Sequence, residues 1–118
     1  MFPEIKDKWQ EALMNCELEQ GIGRMRSYED EHDVLAVLCL IHAEETGGEW
    51  TKPEYGYGYM YLGSGVTLPT EVIRWSGLSP ENMRFLSNLN DWGYTFEQIA
   101  LILDTWNGNG RIADMIGD

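Results

Sequence analysis

The run "VLAVLCLIHA", Val34 to Ala43, constrains this chain more than any other stretch, because it is apolar on nearly every side. A helix of that kind has no face to give to water, so it must lie at the centre of a core with other elements packed around it. A buried strand is the rival reading, but the length of the run and its Ala/Glu-rich tail favour a helix. We expect that helix to span roughly Asp30 to Thr46. Asp30, Glu31 and Asp33 suit its positive N-terminal end, and Gly47-Gly48 stops it. The unbroken apolar part, Val34 to Ile41, is far too short to cross a bilayer.

The rest of the chain has to clothe this helix. Ile5, Trp9, Ala12 and Leu13 form one stripe of a helix expected over Pro3–Asn15, with Pro3 at a first-turn position where its missing N–H costs nothing. The stretch "ELEQGIGRMRSY" breaks that pattern and reads as a connector with room for a short extended piece. Alternation of Tyr with Gly or Met in "YGYGYMYLGSGVTL" predicts a β-hairpin of Tyr57–Leu62 with Val66–Leu68, turned at Gly63-Ser64-Gly65. A short helix over Pro69–Ser76 ends at Gly77. Another is capped by Ser79, opens at Pro80 and closes at Gly93. Thr95 and Gln98 form a capping box for a last helix that buries Phe96, Ile99, Ala100 and Leu103, with Tyr94 and Ile99 placed as its hydrophobic staple. The tail "WNGNGRIADMIGD" turns at Gly108–Gly110 and has room for one more helical turn. The expected fold is mainly α (α+β): a compact bundle of about five helices with one β-hairpin, and residues 1–118 form a single globular domain.

Charge narrows the partners. The chain carries 20 acidic and 8 basic residues, a formal net charge of −12. A duplex phosphate backbone is repelled by such a field, and the basic residues, scattered along the sequence, do not cluster to offset it. Cys16 and Cys39 are the only cysteines, and Cys39 sits inside the apolar run, where a thiol behaves as a small hydrophobe. No disulfide framework is implied, and the charged N-terminus "MFPEIKDKWQ" does not read as a leader, so we expect a reducing cytoplasm.

The pattern "LNDWGYTFEQIALILD" raises the question of a DNA-reading helix-turn-helix. Such a reader needs a further basic helix to enter a major groove. The available segment, "RIADMIGD", has one Arg and two Asp, so the turn is read as packing and no duplex binding is expected. His42 and Glu45 are spaced i, i+3 as in metal-carboxylate helices. His32, the other histidine, lies about 15 Å of helical rise away, so no metal and no cofactor is expected. No nucleophile stands beside a base, and "GSG" and "GIGR" lack the spacing of a phosphate loop, so the chain is not read as an enzyme.

Two candidate binding features remain. One is an acidic patch at Glu29, Asp30 and Glu31, suited to a partner with a basic surface. The other is an aromatic cleft of Tyr55, Tyr57, Tyr59 and Tyr61 along one strand face with Trp50 nearby, where rings stack a base or grip a loop. The same rings also suit plain packing against the central helix, and both uses stay open.

Five stretches, "PEIKDKWQEAL", "EQGIGRMR", "LAVLCLIHAEETGGEW", "LPTEVIRWSGL" and "LNDWGYTFEQIALIL", resemble those shared by a family of small uncharacterised bacteriophage and prophage proteins. Ala36 stands where that family has a Gly, and "DEHDV" replaces its aromatic-cysteine pair. The resemblance implies a site of action in the cytoplasm of an infected bacterium and brings no activity or functional residues. The expected function is that of a non-catalytic phage accessory protein that counteracts a host defence by placing an acidic surface on a basic, nucleic-acid-binding site of a host protein. The alternatives are sequestration of a small nucleotide immune signal in the aromatic cleft, or a structural or assembly role in the phage. Membrane association is not expected, and homo-oligomerisation is left open.

Overall fold

The computed structural model of the protein describes residues 1–106. Its elements run α1 (Pro3–Met14), β1 (Arg26–Ser27), α2 (Val34–Thr46), β2 (Trp50–Thr51), β3 (Gly58–Tyr61), α3 (Thr70–Ser76), α4 (Pro80–Asp91) and α5 (Phe96–Asp104). The class is the expected one: mainly α, with a small antiparallel sheet that includes a hairpin.

Composition puts α2 at the centre, and there it lies. Val34 to Cys39 and His42 are all buried. Trp9 of α1 is fully buried and its indole N–H donates to the Val34 carbonyl at 3.1 Å, so α1 grips the first turn of α2. The Ile5, Trp9, Leu13 stripe of α1 also faces the core alongside α5, whose Phe96, Ile99, Ala100 and Leu103 are buried. α4 closes the layer against α2 and α5 with Met83, Leu86 and Leu89.

Local signals set the helix ends. The Asn82 N–H donates to Ser79 Oγ at 3.1 Å. The Gln98 N–H donates to Thr95 Oγ1 at 3.1 Å and the Thr95 N–H to Gln98 Oε1 at 2.9 Å, which completes the capping box. Gly47 (φ 80°) and Gly77 (φ 70°) end α2 and α3 in the left-handed region that glycine enters without strain. The turn expected at Gly108–Gly110 and the further helical turn expected after it lie outside the described residues.

Two expectations need correction. α2 starts at Val34 rather than Asp30, because Asp33 is its N-cap and accepts from the Ala36 N–H at 2.8 Å. Asp30 instead sits in a tight turn at φ 63°, its N–H donating to the Ser27 carbonyl at 3.0 Å. The second correction is the partner of the Tyr-Gly strand. The turn after Tyr61 forms, with the Tyr61 N–H donating to the Ser64 carbonyl at 2.8 Å, but Val66–Leu68 is not a strand. Both edges of β3 are already taken, by β1 on one side and β2 on the other, in the order β1-β3-β2. The hairpin is therefore β2–β3.

Candidate binding face

Register decides which side chains meet on the sheet. Arg26 lies opposite Tyr59, and Trp50 lies opposite Tyr61. Side chains directly opposite share a face, as do those two apart on one strand. Arg26, Tyr59, Tyr61 and Trp50 thus fall on one face, and Lys52 and Tyr28 join them just past the strand ends. The Arg26 guanidinium carbon stands 4.6 Å from the Tyr59 ring centroid and 5.4 Å from that of Trp50, and its Nε donates to Asp30 Oδ1 at 2.8 Å. Tyr28 meets Tyr59 edge-on at 5.2 Å, and Lys52 Nζ lies 5.1 Å from the Tyr28 centroid. Arg24 reaches Tyr57, at 5.8 Å, by crossing the bare Cα of Gly58, where a Cβ would collide with its side chain and with the Arg26 carbonyl. In sequence Arg24 and Arg26 share one connector and Lys52 lies far from it; in the fold each of the three lies against a tyrosine ring at or beside this sheet.

The four tyrosines do not form one cleft. Tyr55 and Tyr57 precede β3 and stand almost fully in water, at 86% and 84% exposure, whereas Tyr59 is half-buried and Tyr61 is buried completely. The Tyr61 hydroxyl lies 2.6 Å from His42 Nδ1 and directly over Gly48, where any Cβ would occupy its place. His42 Nε2 faces Glu71 Oε2 at 3.3 Å, and its ring meets Trp75 edge-on at 4.9 Å. Tyr61 is thus a packing residue that ties β3 to α2, as the plain reading of the rings supposed. Trp50 is half-buried against it, with centroids 5.0 Å apart, and near His32. Burial, followed by the Arg26 charge, holds His32 below the usual histidine range, so it is uncharged near neutral pH.

The acidic trio is divided by the same turn. Glu29 is exposed, Asp30 is held by Arg26, and Glu31 is half-buried with its N–H donating to Ser27 Oγ at 3.1 Å. Exposed carboxylates gather elsewhere, at a groove of about 570 Å³ between α1 and α2 lined by Glu11, Glu44 and Glu45 over Ala12 and Ile41. Glu45 pairs with Lys8 at 2.8 Å rather than with His42, and among the described residues no group of three or more His, Cys, Asp or Glu side chains is arranged to hold a metal ion.

One constellation escaped the sequence reading. Asn90, buried near the end of α4, accepts through Oδ1 from the Val34 N–H at 3.1 Å and from Gln20 Nε2 at 2.9 Å. Its Nδ2 donates to the Gly21 carbonyl at 2.8 Å. Gln20 also donates to the Tyr94 carbonyl at 2.7 Å and accepts the Phe96 N–H at 2.9 Å. The "EQG" and "LND" stretches therefore meet in space and lock the connector to the starts of α2 and α5. Gly21 is part of the fit, since a Cβ there would press on the Glu31 Cβ at 2.8 Å. The available signal was an Asn on the buried face of an amphipathic helix, which a folded chain keeps only when it is hydrogen-bonded.

Among the described residues no helix is long and apolar enough to cross a membrane. One family model, described as Domain of unknown function (DUF8296), matches residues 1–107. No curated protein and no solved structure matches the chain.

Proposed function

This chain belongs to the family described as Domain of unknown function (DUF8296), and we propose that it is a non-catalytic binding protein whose acidic exterior occupies a basic, nucleic-acid-binding surface of a host protein. The distribution of charge carries the reading. Every carboxylate of the described residues except Glu31 and Asp33 is exposed, while Lys8 and Arg26 are engaged in ion pairs. A body of net charge −12 then presents a largely uncompensated negative field, which speeds encounter with a basic surface and competes with phosphate for it. The resemblance to phage proteins supplies the setting: the cytoplasm of an infected bacterium, with a host defence component as the partner. An assembly role in the phage would use the same exterior against virion proteins.

The test is capture from infected cells by tagged protein at low and high salt. Recovery of a basic nuclease or effector subunit at low salt, lost at high salt and on reversing the exposed Glu11, Glu29 and Glu44 to Lys, is the expected result. Capture that ignores both salt and charge reversal overturns it, and capture of capsid proteins moves the function to assembly. A second reading, sequestration of a small nucleotide signal, is favoured by the rings and cations gathered on the sheet. It needs no catalytic group either.

A further inference from the structure

We infer that the groove between α1 and α2 is the place where the acidic exterior grips its partner, and that it receives a Lys- and Arg-rich helical segment of that partner. The inference rests on the acidic-exterior reading and gives it one location on the surface.

One cavity of about 570 Å³ joins all the groups involved. Half-buried Ala12 and Ile41 form its floor, and exposed Glu11, Glu44 and Glu45 stand around them. The α1 side runs from Lys8 to Asn15, about 10 Å or two helical turns, which suits a short helix laid into a groove. An apolar floor with carboxylates at its rim matches the two parts of a Lys or Arg side chain. The carbon stem lies on Ala12 and Ile41 while the charged head stays in water beside the glutamates. Lys8 is the chain's own example of that mode: it reaches from α1 to Glu45 of α2 at 2.8 Å. The hydrogen bond and charge of Glu45, with Glu4 and Glu44 behind it, hold the Lys8 ammonium above the usual lysine range, so the groove favours a cation. Glu11 and Glu44 have no ion-pair partner among the described residues and are left for the incoming segment.

Charge selects this occupant over others. A second copy of the chain brings the same net charge of −12 and is repelled. A single metal ion does not fit, because among the described residues no three His, Cys, Asp or Glu side chains converge to hold one. The carboxylates are instead spread along the groove, so a row of cations on one helix face meets them better than a point charge does.

Fluorescence anisotropy of the intact protein with a labelled helix-forming peptide, in which Lys and Arg flank a row of Leu, tests this at low salt. The same peptide with Glu at every Lys and Arg is the control. Saturable binding of the basic peptide alone is expected. Two double variants change the net charge equally: Glu11→Lys with Glu44→Lys inside the groove, and Glu29→Lys with Glu54→Lys outside it. The first pair weakens binding about tenfold or more and the second only about two- to threefold. Ala12→Leu fills the floor without altering charge and weakens binding about fivefold or more. Thermal melts superimposable on the parent show an intact fold, and Ala12→Met, with a more pliable side chain, replaces the Leu variant if its melt shifts. If Ala12→Leu binds like the parent, or the two charge pairs weaken binding equally, the groove is not the site while the acidic-exterior reading stands. If neither salt nor either pair alters binding, or if no saturable binding is seen into the millimolar range, both fall.

Discussion

Replacing Asp33 by Asn should change the pH dependence of stability in a defined direction. Asp33 is buried, and burial, with a smaller push from Asp91, lifts its carboxyl from 3.8 to about 7 against the pull of the Ala36 and Leu35 N–H groups. The folded protein thus holds this proton more tightly than the unfolded chain does. Between about pH 4 and pH 7 the native state carries the extra proton, so stability falls as pH rises through that window and levels off above it. At 1.36 kcal/mol for each factor of ten in proton affinity, the full effect is about 4 kcal/mol. Asn caps helices as well as Asp and does not titrate, although its extra N–H needs a partner and adds a constant offset. Urea melts of both proteins from pH 4 to pH 8 should show the Asn variant gaining on the parent by about 4 kcal/mol across the range, whatever the offset. The other carboxylates are common to both proteins and largely cancel. A difference independent of pH, or one that moves towards the parent as pH rises, would refute the reasoning, because the two N–H donors would then outweigh burial and keep Asp33 ionised throughout.

Thr95→Ala removes half of the observed capping box and should cost about 1 kcal/mol; an unchanged urea midpoint would mean that the cap contributes nothing to α5. Tyr61→Phe takes away the hydroxyl on His42 Nδ1 and should cost about 1–3 kcal/mol, whereas Tyr55→Ala in open water should stay within about 0.5 kcal/mol. Equal melts for those two variants would contradict the division of the tyrosines into core and surface. Duplex DNA should not be retained in a gel shift even at low salt, where phosphate contacts are strongest, given the net charge of −12. Tight retention would mean that a basic face outweighs the acidic body.

What the sequence determined by itself lies within a few residues of each signal. The all-round apolar run makes α2 central because no other place in a folded chain leaves its sides dry. Ser79 and Thr95 start their helices and Gly47 and Gly77 end theirs, because a cap or a left-handed turn is a matter of adjacent backbone groups. The alternation placed Tyr59 and Tyr61 on one face, since that is a property of one strand, but it did not carry over to Tyr55 and Tyr57, which precede β3. Only the tertiary structure decided which edges of β3 were filled, because strand pairing is chosen by segments far apart in sequence; β1 arrived from before α2 and excluded Val66–Leu68. The same long-range choices buried Tyr61 and left Tyr57 in water, laid Arg24 and Lys52 on rings from distant segments, and joined Gln20 to Asn90. Asp33 follows the same division. Its place at the start of a helix was readable from its neighbours, but its proton affinity depends on how completely the rest of the chain closes over it.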